Sequence, residues 1–506
     1  MTLPVSYSLE DAISETKFGK FNCILIFLCG LILGCAFVET GCITLVLPIA
    51  QCELQMTNFH KGFLGSIGFI GIILSSHFWG FLADTKGRKN TMIVALLLAA
   101  FFSICSTLAK TFWVIALFRF LNGFCICGPQ ITSYAFLGEF HTIKYRARVL
   151  LIASIIYALI GTVNPINAIL FLNQETWNFY IPFLDLNYSA WRIFLLFCSV
   201  PSIISAIILI TLIPESPKFT YSQGDEAKTL AILQRVYKFN TGKSLNEFKV
   251  KNLAKDKEFE AGQSENSKGF FEFMWSQTAP LFQKPHLKNT LTACYLQLGL
   301  CVSANSYFTF YPEILNRVYL WLESDPTHIT ATVCQIYSSF HSNSTVIDEI
   351  PEICITRLEV NVFLNIIMLM FMYAFGWFIM SLIINKTGKL VILVFISFAS
   401  GMASLSMMFI ELPKIATSIY LMVMLASLNM SVINSSTVEL FPTNLRAMAV
   451  SISMMFGRVG SVAGSNFLGL TIQNFCTYTW ILPGVLMITS GFLVFTIPNI
   501  NKRAKK

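Results

Sequence analysis

Three charged side chains lie deep inside apolar segments of this 506-residue chain, where a charge requires a compensating group. Glu39 lies in the first apolar segment, Arg119 in the fourth and Arg458 in the eleventh. A charge at the centre of a bilayer costs at least about 2.5–3.5 kcal/mol, so each must face a polar cavity or a charged partner. We assign Glu39 and Arg458 to a cavity, with Glu39 as a group that could bind and release a proton. A structural ion pair is the alternative for both, and Arg119 could equally hold helices together.

Uncharged polar side chains also lie within the apolar segments. They are Asn164, Asn305, Asn429 and Asn434. Interhelical hydrogen bonds would explain each one singly, whereas several together indicate a polar cavity. Pro165 predicts a break in the fifth helix, because proline cannot donate the backbone hydrogen bond of a helix.

Two short charged motifs stand where apolar segments end, and both recur in the second half of the chain. Asp84-x-x-Gly87-Arg88 returns as Asn385-x-x-Gly388-Lys389, and the pair Glu139 and Arg146 returns as Glu439 and Arg446. The offsets are 301 and 300 residues. Repetition at one offset indicates two copies of one helix bundle, an organisation typical of transporters.

The composition requires that membrane helices carry these motifs. The chain is 55% hydrophobic and 12% charged, with a mean hydropathy of +0.65, whereas about a quarter of the residues of a soluble domain are charged. Runs of about 20 apolar residues are long enough to cross a bilayer as helices. We predict twelve spans, at 21–48, 60–83, 91–109, 112–138, 149–172, 192–213, 290–314, 360–384, 390–410, 415–438, 447–471 and 479–498. The predicted fold is an all-α membrane protein of two pseudo-symmetric six-helix bundles.

Basic residues set the predicted orientation. Most of the 35 Lys and Arg residues fall on one side if both termini are cytoplasmic, as the positive-inside rule requires. The net charge of +8 therefore reflects topology, and nucleic-acid binding is not expected. The predicted parts are a cytoplasmic N-terminus (1–20), two bundles (21–213 and 290–498), a cytoplasmic linker (214–289), an exterior loop (316–359) and a cytoplasmic tail (499–506). The first apolar run is too long for a cleavable signal, and 240–269 has the composition of a flexible linker.

Loops on the opposite side carry candidate modification sites. Asn187 and Asn343 begin Asn-x-Ser/Thr sequons, to which a glycan can be attached. Cys334 and Cys354 share one loop and could form a disulfide bond. Cys52 and Cys476 face the same side, so the pairing stays open.

These features resemble the major facilitator superfamily. The loop GFLADTKGRK (80–89), Arg119-x-x-x-Gly123 and the run from Pro214 to Lys218 are similar to motifs of its sugar and organic-ion porters. The segment 189–219 and the first two spans resemble the synaptic vesicle glycoprotein 2-related branch. The first helix of that branch carries two acidic residues, of which Glu39 matches the second and Ala36 replaces the first.

The resemblance implies a role for the charges at helix ends. In the superfamily such motifs form ion-pair latches on the cytoplasmic face that hold the outward-facing state. The positions that carry this role over are Asp84, Gly87, Arg88, Glu139, Arg146, Glu215, Glu439 and Arg446. The second latch is expected to be weaker, because Asn385 replaces an aspartate.

The predicted function is secondary transport of a small polar or charged organic solute, a sugar or an organic ion, by alternating access. We expect a monomer in the lipid bilayer, with a proton as the candidate coupled ion. The alternative is a non-transporting vesicle or surface protein, related to synaptic vesicle glycoprotein 2, that binds partners in trafficking or exocytosis. The expected location is the plasma membrane or a secretory or synaptic-type vesicle membrane. No nucleotide loop, nucleophile triad or metal cluster is evident in the sequence, so no enzyme activity, cofactor or metal is expected.

Overall fold

The structure, a computed structural model, describes residues 6–174, 177–254, 275, 278–324, 330–339, 357–441 and 445–497. Helices make up most of it. Those of the first half are α1 (Leu9–Glu15), α2 (Lys20–Ala50), α3 (Asn58–Lys86), α4 (Arg88–Thr107), α5 (Phe112–Glu139), α6 (Ile143–Ile160), α7 (Val163–Asn167), α8 (Ala190–Thr211), α9 (Pro217–Ser222) and α10 (Glu226–Thr241). Those of the second half are α11 (Leu287–Ser324), α12 (Val333–Ser339), α13 (Val360–Thr387), α14 (Lys389–Ser406), α15 (Pro413–Met424), α16 (Asn429–Leu440), α17 (Arg446–Asn474) and α18 (Cys476–Val494).

The helices fill the twelve predicted membrane-spanning positions. Ten spans are long and apolar enough to cross a membrane by length and composition. The other two positions are filled by α11 and α17, which have 38 and 29 residues and a more polar composition. These two helices pack against each other, α11 also against α2, and α17 also against α3. The two more polar spans therefore lie at the junction of the halves and not on the lipid-facing outside.

The sequence repeat is also a repeat of backbone geometry. Gly87 joins α3 to α4 with φ +98°, and Gly388 joins α13 to α14 with φ +84°. The ψ angle is 147° at both positions. Residues with a side chain rarely adopt this conformation, so glycine permits the same tight turn in each half. We term the end of the bundle that carries these two turns the basic end, and the opposite end the far end.

Two spans are interrupted. The fifth consists of α6, α7 and a π-helical turn, Ala168–Leu172, and the predicted break at Pro165 is therefore confirmed. The tenth consists of α15, a 3₁₀ turn at Leu425–Leu428 and α16. The hydroxyl of Tyr373 donates to the carbonyl of Met424 at 2.9 Å, which satisfies a backbone oxygen at the second interruption.

The N-terminal segment and the central linker pack together at the basic end. Strand β1 (Ser6–Tyr7) pairs in parallel with β4 (Asn252–Leu253), and α1, α9 and α10 contribute to one small apolar core. Phe248 and Val250 of the linker belong to that core. The prediction of a flexible linker over 240–269 is therefore wrong for the part that the structure describes, up to residue 254, because apolar side chains spaced along it are buried.

The far end corrects the predicted disulfide bond. Cys334 of α12 is bonded to Cys476 at the start of α18, with their Cα atoms 5.7 Å apart, and not to Cys354. The reason is that 316–359 is not one loop. Helix α11 continues to Ser324, and α12 then lies against the second half beside α17. Cys52 is also disulfide-bonded, while Cys354 and Asn343 lie outside the described residues.

Candidate functional site

The basic end of the first half holds a cluster of charges around Arg88. Its guanidinium Nη2 lies 2.9 Å from Oε1 of Glu139, at the end of α5. The other carboxylate oxygen of Glu139 accepts a hydrogen bond from the hydroxyl of Ser216. The cluster therefore joins α4, α5 and the start of α9 within one half.

Glu215 binds the turn at Gly87 and so connects this turn to the cluster. Its Oε1 accepts hydrogen bonds from the backbone N–H groups of Arg88 at 3.1 Å and of Lys89 at 3.0 Å. A carboxylate at this position satisfies unpaired amides at the start of α4 and interacts favourably with the helix dipole. A Cβ atom on Gly87 would lie 2.5 Å from Oε2 of Glu215, so the carboxylate fits only against glycine.

Asp84 and Arg146 lie at the same end but make different contacts. Asp84 is paired with Arg88 one turn along the chain at 3.4 Å, and its side chain is 62% exposed. Arg146 pairs with Glu10 of α1 at 2.9 Å and donates to the carbonyl of Gly138 at 3.0 Å. In this conformation Arg146 thus ties the N-terminal segment to α5 instead of forming a bond with Glu139.

His141 connects the first span to the end of α5. Its Nε2 lies 3.0 Å from the amide nitrogen of Asn22 in α2, and its Nδ1 lies 2.8 Å from the carbonyl of Leu137. Burial is the main cause that lowers the pKa of His141 below its ordinary value. The neutral ring fits both bonds, because one nitrogen accepts from the amide while the other donates to the carbonyl.

The second half repeats the central ion pair of the first. Lys389, equivalent to Arg88, pairs with Glu439, equivalent to Glu139. Its ammonium also donates to the hydroxyl of Ser435 at 2.6 Å. The side chains of Asn385 and Arg446 lie outside the described part of the chain.

Glu39 and Arg119 meet inside the first half. Oε2 of Glu39 lies 3.9 Å from Nη1 of Arg119, and both side chains are fully or nearly fully buried. Asn122 donates to the same carboxylate at 3.2 Å, and Ser202 donates to its other oxygen at 3.4 Å. Nη2 of Arg119 donates to Ser106 at 2.8 Å. The packing of α2 against α5 thus brings Glu39 to Arg119, and the carboxylate forms the ion pair that was the alternative to an unpaired cavity charge.

A small cavity nevertheless adjoins this pair. Glu39, Arg119 and Asn122 line it together with Gly65 and Gly68 of α3. The spacing of α3 from α5 is close here, since a Cβ on Gly123 would lie 2.2 Å from the carbonyl oxygen of Gly68. The motif Arg119-x-x-x-Gly123 thus places an arginine beside the carboxylate and a glycine at the helix contact.

The four candidate asparagines have three kinds of surroundings. Asn429 is buried and donates to Ser397 of α14 at 3.1 Å, and Asn305 donates to Ser461 of α17 at 2.6 Å, so both bond within their own half. Asn164 donates to the carbonyl of Val38 at 3.1 Å but also lines a cavity between the halves. The carbonyl oxygen of Asn434 is buried with no hydrogen-bond partner among the described residues.

The cavity between the halves is lined mostly by apolar and aromatic groups. Phe37, Gly41 and Asn164 line it from the first half, and Phe308 and Tyr311 from the second. Nearer the basic end, Arg458 of α17 crosses the junction, and its Nη2 donates to Oε1 of Gln130 in α5 at 3.2 Å. Arg458 therefore lies at the junction of the two halves.

A buried ion pair joins the halves at the far end. Nζ of Lys61 in α3 lies 2.7 and 2.8 Å from the two carboxylate oxygens of Glu313 in α11, and both side chains are almost wholly buried. Arg317 donates to the same carboxylate at 3.0 Å and Tyr337 of α12 at 3.1 Å. The guanidinium of Arg317 also lies over the ring of Tyr337, 4.2 Å from its centroid.

Further hydrogen bonds between the halves lie on the same side of the molecule. They pair Asn58 with Gln473 at 3.0 Å, Ser66 with Asn466 at 3.0 Å, and Asn173 with the backbone of Leu358 at 2.6 and 3.2 Å. Within the described ranges, polar bonds between the halves are thus found at the far end and at the depth of Arg458, whereas the ion pairs of the basic end each stay within one half.

Sequence reasoning missed Lys61 and Glu313. Lys61 is the second residue of a predicted span, 60–83. Glu313 ends a predicted span at 314, although the helix continues for three more turns. The available signal was the spacing of Glu313 and Arg317, four residues apart, which indicates that the helix continues past the predicted end at 314.

Comparison with known proteins shows which family has this arrangement of helices and charges. The model of the Major Facilitator Superfamily matches residues 29–465. Synaptic vesicle glycoprotein 2C of Rattus norvegicus is 29% identical over 46% of this chain and 32% of its own length. Synaptic vesicle glycoprotein 2B of Homo sapiens is 25% identical over 62% and 48%, and synaptic vesicle 2-related protein of Bos taurus is 30% identical over 46% and 39%. The chain thus matches less than half the length of these curated relatives.

Solved structures show the same fold at low sequence identity. The xylose transporter XylE from E. coli in an inward open conformation is 14% identical, with a TM-score of 0.65 over 94% of this chain and 95% of that one. Its partially occluded inward open form gives a TM-score of 0.63 at 12% identity over 97% and 100%. The repeated turns, the paired six-helix halves and the family match agree, and the chain belongs to the Major Facilitator Superfamily.

Proposed function

We propose that this multi-pass membrane protein is a secondary transporter that moves a small polar or charged organic solute by alternating access. The observation that carries the proposal is the unequal distribution of bonds between the halves. Buried charges join them at the far end, while the charges of the basic end lie within separate halves. Such a molecule can rock between two states by exchanging one set of end contacts for another.

The pair of Glu39 and Arg119 is the proposed proton site. It lies beside a cavity and between α2 and α5, which belong to the same half. Protonation would neutralise the Glu39 carboxylate that faces Arg119. The hydrogen bonds of Arg119 to Ser106 and to the backbone carbonyl of Glu39 would then hold the guanidinium in place. Coupling to a proton accords with a fold shared with a D-xylose-proton symporter.

The test is uptake into proteoliposomes that contain the purified chain. A panel of sugars, organic cations and organic anions is offered with and without a pH gradient. We expect at least one class to accumulate, with stimulation by the gradient in wild type and not in Glu39→Gln. Arg148→Gln, which removes an exposed charge on α6, is the matched control and keeps the stimulation. If none of the panel accumulates while the protein remains folded by thermal unfolding and gel filtration, the proposal falls.

A second candidate is a non-transporting membrane protein of a secretory vesicle or the cell surface. The observation that favours it is the likeness to proteins named synaptic vesicle glycoprotein 2. The proposed orientation, with both termini in the cytoplasm, would place the packed cluster of α1, α9 and α10 where cytoplasmic partners could reach it. Absence of uptake together with vesicle localisation of the tagged chain would favour this candidate.

A further inference from the structure

Arg458 differs from the other deep charges in having no acidic partner. Glu39 is paired with Arg119, and Lys61 and Arg317 share Glu313. In the part of the chain that the structure describes, no carboxylate lies within ion-pair distance of Arg458. Its closest polar contacts are the amide oxygen of Gln130 at 3.2 Å and the thiol of Cys127 at 4.0 Å.

The position of Arg458 makes this charge available to a solute. It lies twelve residues along α17, about 18 Å from the start of the helix at a rise of about 1.5 Å per residue. Its side chain is half-buried and reaches from the second half to α5 of the first. An isolated cation at this depth is costly, and a cation that bridges two moving halves is poorly placed to stabilise either one alone.

A buried amide on α11, the helix that packs against α17, also has unused hydrogen-bonding capacity. Gln297 of α11 is completely buried, and neither its amide nitrogen nor its amide oxygen has a partner among the described residues. Its Cγ lies 2.6 Å from where a Cβ on Gly457, the neighbour of Arg458, would stand. Buried amides without partners are rare, and each one requires an explanation such as a bound water or ion.

We propose that the space around Arg458 binds a small organic carboxylate, and that the transported solute is therefore an anion. This inference rests on the proposed transport function and names its substrate class. A guanidinium matches a carboxylate with two parallel hydrogen bonds, which makes arginine well suited to that group. In this structure the guanidinium donates one hydrogen bond to the neutral amide oxygen of Gln130. A carboxylate would bind the guanidinium more strongly and replace this amide.

The isosteric substitution Gln130→Glu is the sharpest test. It places a carboxylate where the amide now lies, 3.2 Å from the guanidinium, without changing the size of the side chain. The built-in ion pair should compete with the solute, so we expect anion uptake to be lost while the protein stays folded. Arg458→Gln should raise the KM for the anion about 10- to 100-fold, the usual effect of losing a hydrogen bond to a charged group. Arg458→Lys should keep part of the affinity, and Arg148→Gln is the surface control.

The probes are matched pairs that differ in charge: glucuronate and glucose, lactate and lactamide, benzoate and benzamide. Binding is measured by the shift in thermal unfolding temperature and transport by uptake into proteoliposomes. Binding of a carboxylate over its neutral partner, lost in Gln130→Glu, supports the inference even if nothing is transported, in which case only the transport proposal falls. Uptake of neutral or cationic solutes alone, or anion uptake that Gln130→Glu leaves unchanged, overturns the inference and leaves transport intact. If no probe binds or moves, both are overturned.

Discussion

The ion pair of Lys61 and Glu313 should control which end of the molecule is closed. We consider two substitutions, Glu313→Gln and Lys61→Met. Both remove the bond that joins α3 to α11 at 2.7 Å in the closed far end. When the far end opens, the two side chains separate into water, so the bond contributes only to the closed state.

The contacts of Glu313 predict unequal effects. Glu313→Gln leaves the buried cations Lys61 and Arg317 without a carboxylate, and removing one partner of a buried pair costs about 3–5 kcal/mol. That cost corresponds to a shift of at least about a hundredfold toward the open far end. Lys61→Met leaves Glu313 bonded to Arg317 at 3.0 Å and Tyr337 at 3.1 Å. It should cost about 1.5–3 kcal/mol, the value of one charged hydrogen bond, and so have the smaller effect.

The assay is a distance measured between labels on the two halves at the basic end. Lys86 and Thr387 are exposed, occupy equivalent positions beside Gly87 and Gly388, and can carry spin labels introduced as unnatural amino acids. Opening of the far end by a rocking motion brings these two positions together, so the distance distribution should move to shorter values in both variants.

The control is an ion pair at the same end of the molecule that does not join the two halves. Glu53 pairs with Arg192 at 2.6 Å, also at the far end but within the first half. Glu53→Gln should lower the thermal stability without changing the label distances. If Glu313→Gln leaves the distances at their wild-type values, or if Lys61→Met has the larger effect, the assignment of this pair as the far-end gate is refuted.

Four other predictions test separate parts of the structure. Asp84→Asn should lengthen the average distance between the same labels, by weakening the state in which the basic end is closed; an unchanged distribution would contradict this. Gly87→Ala should cost about 1–3 kcal/mol from its positive φ alone, seen as a lower unfolding temperature, whereas Gly80→Ala, whose Cβ meets nothing within 4 Å, should be close to neutral. The pKa of His141 is lowered on folding, so the unfolded chain binds more protons and stability falls as the pH drops below about 6.5; His141→Gln should show a flatter dependence of unfolding temperature on pH from 5 to 7.5. Asn187 is exposed within the hairpin formed by β2 (Phe179–Ile181) and β3 (Leu186–Tyr188), so Asn187→Gln should abolish one glycosidase-sensitive band shift in protein from animal cells, and equal shifts in both forms would exclude a glycan there.

The features predicted well from the sequence are those encoded by neighbouring residues. The turns at Gly87 and Gly388 require a positive φ, and glycine at an offset of 301 residues therefore marks both of them. The interruption near Pro165 follows from a missing backbone donor. Each of these is a property of a few consecutive residues and does not depend on which helices become neighbours.

The features that were missed depend on contacts between distant helices. Glu39 and Arg119 are 80 residues apart, and their pairing follows from the packing of α2 against α5. Lys61 and Glu313 are 252 residues apart and meet only because the two halves join. The partner of Cys334 likewise depends on where α12 folds back, which a loop length does not specify.

The two ends of the molecule hold their charges in opposite ways, and this difference constrains how it can move. At the far end Glu313 is buried and shared between the halves, so opening that end must break bonds of several kcal/mol. New bonds at the basic end can compensate for this cost only if a charged group there is free to pair with the other half. Arg88 and Lys389 each pair with a glutamate of their own half, whereas Asp84 makes a longer contact of 3.4 Å with Arg88 and its side chain is 62% exposed. Asp84 is therefore the group best placed to form the opposing latch, and it should bias the two states in the direction opposite to Glu313. A variant that carries both Asp84→Asn and Glu313→Gln should accordingly show label distances between those of the two single variants.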